Sequence, residues 1–195
     1  LSGKTHVAAV AHSWGGVNLL ASIAINRISQ IPAMVFFGAK RRISIFSLKK
    51  FIMIDLAWRA YGRTLSHFYK YYPAKAAKLG SDSETVPSFL QTDKWVRSKQ
   101  WLYFKDNRDI AALLQQMALP PILSITGKKD DVLGHPTDVQ LLLNETGTHQ
   151  PHAFVLAAKK TGFQKDYDHI NLLTDPKAVE DVYPRVYEWL RKYIS

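Results

Sequence analysis

Residues 11–16, Ala-His-Ser-Trp-Gly-Gly, lie between two apolar runs of different character. The run that leads into them starts at Thr5, is short and contains β-branched residues, which favours a buried strand. The run after them, residues 17–25, is apolar and compatible with a helix. A small-x-Ser-x-Gly sequence in this setting predicts a sharp strand-to-helix turn at Ser13.

The residue types around Ser13 suit such a turn. The turn would hold Ser13 in a strained backbone conformation, so Ala11 and Gly15, two positions away on either side, must be nearly free of side chain. The strain would lift the Ser13 hydroxyl out of the sheet. The backbone N–H of Trp14, at the start of the helix, could then meet a developing negative charge on a substrate oxygen, helped by the helix dipole.

This strand–turn–helix resembles the nucleophile elbow of the α/β-hydrolase superfamily. The usual first residue of that motif is Gly, and Ala11 departs from it. The resemblance implies that Ser13 is a nucleophile and that Trp14 supplies an oxyanion-hole backbone N–H. An incidental serine in an ordinary strand–turn–helix is the alternative interpretation of the pattern by itself.

A candidate acid follows the strand predicted at residues 122–127. The superfamily places its triad acid after a strand that ends in Gly-x-x-Asp, and Asp130 has this spacing from Gly127. Asp131 is a rival, because the sequence after it can be aligned in either register. Only one of these adjacent carboxylates can point into a site.

His169 lies between the last predicted strand, residues 152–158, and the last predicted helix, where the resemblance puts the catalytic histidine. The order Ser13, Asp130, His169 is the α/β-hydrolase order. Each of the three follows a separate predicted strand, at the end where parallel sheets place their sites. The remaining histidines are interpreted as structural: His6, His12, His67, His135, His149 and His152.

The alternation of apolar strands and helices predicts an α/β fold with a mostly parallel sheet flanked by helices. In the superfamily the elbow follows the fifth strand, so the resemblance covers the C-terminal part of the fold and the N-terminal strands are missing from it. The hydrolase core is predicted at residues 1–39 and 119–195. Residues 40–118 interrupt the strand–helix rhythm, and the resemblance implies a helical cap or lid there.

The strand predicted at residues 5–12 would lie at an open edge of this sheet, although it is apolar on both faces. We expect a second copy of the chain, another chain, or residues before Leu1 to cover it. The loop that supplies the second oxyanion donor in the superfamily also belongs to the N-terminal part, and these 195 residues contain no candidate for it.

The positive charge of the chain is concentrated in one segment. Residues 40–109 hold 15 Lys and Arg against 6 Asp and Glu, and so carry +9 of the formal net charge of +10, together with 13 of the 23 aromatic residues. This composition favours a helical cap with a solvated basic face and an aromatic core. Nucleic acid is not expected as a partner, whereas an anionic membrane surface stays a candidate. The expected substrate is a small ester with an apolar acyl part.

The sequence also limits the chemistry. It contains no cysteine, which excludes disulfides and thiol catalysis and fits a cytoplasmic location. No metal-ligand spacing or phosphate-binding loop is present, so no metal or cofactor is expected. Two classes of function remain: a serine hydrolase that cleaves a carboxylic ester through an acyl-enzyme, with acyltransferase as a close variant, and a non-catalytic hydrolase fragment that acts as a binding module.

Overall fold

A sheet of four parallel strands in the order β1-β2-β3-β4 forms the centre of the protein in a computed structural model, which describes residues 6–77, 82–147 and 151–194. The strands are β1 Ala9–His12, β2 Met34–Phe37, β3 Ile122–Gly127 and β4 His152–Ala157. The predicted α/β fold with a mostly parallel sheet is therefore confirmed. Residues 1–5, where the first strand was predicted to begin, lie outside the described residues, as does His149.

The register of the strands brings their carboxyl ends together. His12 pairs with Phe37, and Phe37 pairs with Ile125. Every residue of β2 and β3 is buried, as expected for the inner strands of a parallel sheet. The segments that follow β1, β2 and β3 consequently meet at one edge of the sheet.

Nine α-helices accompany the strands in the described part of the chain. They are α1 Trp14–Asn26, α2 Leu48–Lys50, α3 Gly62–Tyr69, α4 Val86–Arg97, α5 Ile110–Gln115, α6 Pro136–Glu145, α7 Asn171–Thr174, α8 Ala178–Asp181 and α9 Tyr183–Tyr193. A π-helix, Phe51–Tyr61, joins α2 to α3 without a break. None of these helices has the length and apolar composition needed to cross a membrane, among the residues that are described.

The two faces of the sheet bury different helices. On one face, Phe37 and Ile125 belong to an apolar cluster that includes Ala178 and Val182 of the C-terminal helices. On the other face, α1 packs so closely that a Cβ on Gly16 would lie 3.2 Å from the ring of Phe36. Alternate strand residues thus serve opposite faces, which explains the continuous apolar runs in the sequence.

The chain divides into two compact units, residues 1–43 with 101–195, and residues 44–100. The smaller unit is shorter at both ends than the segment 40–118 that the sequence singled out as a cap. Its described part contains α2, α3, α4 and the π-helix, around an apolar core of Tyr72, Ala74 and Phe89. Residues 101–118 group with the larger unit, in which α5 packs against α1.

Strand β1 lies at the edge of the described sheet and pairs only with β2 there. Val7 and Val10 are both exposed, although each is a large apolar residue. The predicted strand is thus an edge with apolar side chains in solvent; what covers it stays a prediction.

Candidate active site

Ser13 lies at a sharp turn between β1 and α1. Its backbone angles are φ 52° and ψ −122°, a conformation that residues with a Cβ seldom adopt. Its N–H donates to the carbonyl oxygen of Phe37 over 2.8 Å, which ties the turn to the end of β2. The small flanking residues face each other, because a Cβ on Gly15 would lie 3.7 Å from the Cβ of Ala11.

The second glycine of the motif has a packing role that sequence analysis missed. A Cβ on Gly16 would lie 2.7 Å from the Cβ of Ala39, closer than carbon atoms can approach. Gly16 therefore lets α1 lie directly against the chain that leaves β2. This contact fixes the start of α1, where Trp14 presents its backbone N–H in the first turn.

Asp130 and His169 form a buried pair. Nδ1 of His169 lies 2.5 Å from Oδ2 of Asp130, and only 8% and 3% of the two residues is exposed. The other oxygen, Oδ1, accepts the N–H of Gly134 over 2.7 Å. Asp131 is exposed, so of the two adjacent acids that fitted the motif it is Asp130 that contacts His169.

Gly127, the last residue of β3, lets the His169 loop approach the sheet. A Cβ on Gly127 would collide with the carbonyl group of Tyr167. That carbonyl accepts the N–H of Lys129 over 2.8 Å. Asp168 then holds the turn that carries His169, since its Oδ1 accepts the N–H of Asn171 over 2.8 Å.

Gly38 is the point at which the serine turn and the histidine loop meet. It directly follows Phe37, whose carbonyl binds Ser13, and its φ is +56°. A Cβ there would lie 2.9 Å from Nδ1 of His169 and 3.5 Å from Oδ2 of Asp130. Asp130 thus contacts His169 directly. The turn at Ser13 binds Phe37, the residue just before the glycine that faces His169. No hydrogen bond joins the Ser13 hydroxyl to His169 in the described residues.

His12 also contacts His169. Its Nε2 lies 3.0 Å from the carbonyl oxygen of His169, and the two ring centroids are 4.6 Å apart. Burial is the main cause that lowers the pKa of His12, and the neighbouring His169 lowers it further. A neutral His12 fits this position, since its Nε2–H can donate to the carbonyl oxygen of His169 without adding a charge to the site.

Lys40 is a second neighbour that sequence analysis missed. Only 6% of it is exposed, and its Nζ lies 5.8 Å from the centre of the Trp14 ring. Burial lowers its pKa to about 8, against the attraction of Asp130 and Asp138. A buried ammonium group is costly, and the attraction of these two carboxylates offsets part of that cost.

Arg41, the next residue, is fully buried as well. Its Nε donates to Glu145 over 2.8 Å, and its guanidinium lies over the ring of Trp101. The interpretation of the basic segment as a solvated face is therefore wrong at its beginning. The signal that could have revealed it is position, since both cations lie within four residues of the end of the buried strand β2.

Two of the other histidines have structural contacts. His135 caps α6, where its Nδ1 accepts the N–H of Thr137. Nε2 of His152 lies 3.0 Å from the hydroxyl of Thr146. Among the described residues, no three histidine or acidic side chains are grouped closely enough to hold a metal ion.

The chemistry that this arrangement can carry is proton transfer beside a presented hydroxyl. A carboxylate that holds Nδ1 of an imidazole leaves Nε2 free to act as a base. Ser13, at the turn that shares Gly38 with this pair, is the hydroxyl that such a base would serve.

Solved structures with the same architecture are esterases and related enzymes. The esterase domain of a Rhodothermus marinus protein matches with a TM-score of 0.52 and 18% identity, over 96% of this chain and 61% of that one. An esterase from Rhodococcus matches with a TM-score of 0.51 and 15% identity, over 98% and 67%. A bromoperoxidase from Bacillus anthracis matches with a TM-score of 0.51 and 13% identity, over 93% and 66%.

The chain spans about two thirds of the length of these structures or slightly less. No protein-family model and no curated protein matches it. The identities establish likeness of fold and not of reaction, as the presence of a bromoperoxidase beside the esterases illustrates. The parallel sheet, the turn at Ser13 and these neighbours together identify the chain as having the fold of the α/β-hydrolase superfamily.

Proposed function

We propose that this chain carries the catalytic residues of a serine esterase, with Ser13 as nucleophile, His169 as general base and Asp130 as the acid that orients the imidazole. The observation that carries the proposal is the buried Asp130–His169 pair beside the turn that presents Ser13. Esterases among the structural neighbours support it at the level of the fold.

The reaction follows from proton chemistry. His169 removes the proton of the Ser13 hydroxyl while its oxygen attacks the carbonyl carbon of a carboxylic ester. The developing oxyanion accepts the backbone N–H of Trp14 at the start of α1. His169 then returns the proton to the departing alcohol, which leaves an acyl group on Ser13. Water, activated by the same imidazole, releases the acid.

Two other functions are compatible with the same fold. An acyltransferase would give the acyl group of Ser13 to an alcohol or thiol instead of water. A non-catalytic fragment would keep the fold as a binding module, without turnover. Four further expectations stay predictions. They are a cap over Ser13 formed by residues 40–118, an apolar acyl part of the substrate, a cover over the edge of β1, and a cytoplasmic location.

Covalent labelling distinguishes these functions. We expect a fluorophosphonate probe to label the chain on Ser13. Ser13→Ala should abolish this labelling and lower the rate of ester hydrolysis by about a thousandfold or more. Ser22→Ala is the matched control, because Ser22 is half-buried like Ser13 and lies in α1, the helix that follows Ser13. A chain that folds but does not label on Ser13 would be a binding module. Acyl transfer to an added alcohol faster than hydrolysis would identify a transferase.

A further inference from the structure

Three arginines surround one buried carboxylate in the smaller unit. Asp93 of α4 is completely buried. Arg97, one turn further along α4, donates from Nε and Nη2 to its two oxygens over 3.1 and 3.0 Å. Arg63 of α3 donates to Oδ2 as well, and Arg59 lies 3.5 Å from Oδ1. A single arginine would suffice to neutralise this acid, so the cluster has more cations than its acid requires.

The shared oxygen brings two guanidinium groups close together. Nη2 of Arg63 and Nη2 of Arg97 both bind Oδ2 of Asp93, so the two nitrogens are at most about 6 Å apart, twice the length of a hydrogen bond. Like charges at this distance repel each other. Asp93 thus holds two guanidinium groups in a fixed arrangement that a second anion would stabilise.

The remaining neighbours do not balance the charge. Arg59 also faces Asp55, which in turn binds Lys50 over 2.7 Å. Four cations therefore share two carboxylates in this network, which leaves two positive charges.

The surplus charge lies at the surface of the smaller unit. The side chains of Arg63 and Arg97 are 47% and 44% exposed, whereas Asp93 is not. Each guanidinium group has five N–H donors, and Asp93 takes one from Arg63 and two from Arg97. The unused donors of two fixed forks are thus available to a ligand from solvent.

We propose that Arg63 and Arg97, held by Asp93, form a binding site for a phosphate group. A phosphate monoester carries nearly the two negative charges that the network lacks. Its oxygens accept the paired N–H donors of guanidinium forks, which suit phosphate better than the point charge of lysine does. The site takes either a soluble phosphate or the phosphate headgroup of a lipid, and it is independent of catalysis at Ser13.

Titration with inorganic phosphate tests the site. At constant ionic strength, balanced with sodium chloride, phosphate should raise the Tm of the chain and bind in calorimetry, whereas chloride should do neither. Arg63→Gln and Arg97→Gln should each weaken phosphate binding by about tenfold or more. Arg108→Gln is the matched control, because Arg108 is a half-exposed arginine paired with Asp106 in the larger unit, and its loss should change nothing.

Arg63→Lys and Arg97→Lys keep a positive charge beside Asp93, and they serve if the glutamine variants fail to fold. They should fold and bind phosphate more weakly than the unchanged chain, because the fork is lost. Unchanged phosphate affinity in these lysine variants, or no phosphate-specific effect on the unchanged chain, would overturn the proposal.

Vesicles separate the two sources of phosphate. Binding to phosphatidylcholine vesicles that contain phosphatidic acid, reversed by inorganic phosphate and absent with pure phosphatidylcholine, would identify a lipid headgroup as the ligand. Binding of free phosphate without vesicle binding would identify a soluble phosphate compound. Vesicle binding that survives in both lysine variants and in excess phosphate would contradict a site at this arginine pair.

Discussion

A side chain on Gly38 would occupy the space of the His169 imidazole, with its Cβ 2.9 Å from Nδ1. The contact matters because Gly38 also has a positive φ and follows the carbonyl that binds the turn at Ser13. The position of His169 relative to Ser13 therefore depends on one residue that carries no side chain.

We expect Gly38→Ala to lower ester hydrolysis by about a hundredfold or more, since a displacement of the imidazole by about 1 Å is enough for such a loss. Gly162→Ala is the control. Gly162 has a φ of +87°, so its substitution is strained too, but its Cβ would meet only Arg185, at 3.9 Å. The Tm should fall in both variants because of the strained φ, whereas steady-state kinetics should show a loss of turnover only in the first. Equal turnover in the two variants would contradict this role of Gly38.

The adjacent acids Asp130 and Asp131 should differ sharply in their contribution to turnover. Asp130→Asn removes the charge that faces His169 and should lower kcat by about a thousandfold or more. Asp131 is exposed, so Asp131→Asn should stay within about twofold of the unchanged chain. If Asp131→Asn is the more damaging change, the acid of the site has been assigned incorrectly.

Lys40 should make stability rise with pH in the alkaline range. Its pKa is about 8 in the folded chain and about 10.5 in the unfolded chain, so between these values the unfolded state binds more protons. The free energy of unfolding should therefore increase from pH 8 to pH 10.5 by on the order of 3 kcal/mol relative to a variant without this amine. Urea denaturation of Lys40→Met at several pH values checks this difference.

Lys160→Met is the control for that experiment, because Lys160 is exposed and its loss should leave the pH dependence unchanged. Parallel pH profiles for the unchanged chain and Lys40→Met would mean that the lysine is not buried in solution.

Amide exchange should alternate along β1. The N–H groups of Val7 and Ala9 donate to the carbonyls of Gln30 and Ala33 over 3.2 and 3.1 Å, so they should exchange slowly. Those of Ala8 and Val10 point to the open edge and should exchange quickly. Hydrogen exchange followed by NMR measures both sets. Slow exchange at Ala8 and Val10 that depends on concentration would show a second copy on the edge, and slow exchange in a dilute monomer would contradict the open edge.

Much of the fold could be predicted because its information is local. The strands are continuous apolar runs, and the turn at Ser13 has small residues at both required positions, so hydrophobic pattern and backbone sterics were enough. The choice between Asp130 and Asp131 was not local. The bend after Gly127 decides which carboxylate turns inward, and that bend depends on the approach of Tyr167 from 40 residues away.

The burial of the two cations was hard to predict for a similar reason, because nearness to strand β2 is the one local signal for it. Lys40 and Arg41 belong to a basic run that looks solvated, and their burial depends on Asp130, Asp138 and Glu145, about 90 to 100 residues further along the chain. Residues 48–69 form one continuous helical run. The π-helix within it changes the number of residues in a turn, so no single apolar spacing describes the run.

The three glycines around the Asp130–His169 pair have a consequence for evolution. Gly38, Gly127 and Gly134 each face an atom of this pair or of the histidine loop at a distance that leaves no room for a methyl group. A lineage that keeps the His169 loop against the sheet should therefore keep all three. Loss of His169 alone would relieve only the contact at Gly38, because Gly127 faces the backbone of Tyr167 and Gly134 faces Asp130 and the backbone of Gly38. Gly162 meets no such contact, so only its φ of +87° restricts its substitution in either lineage.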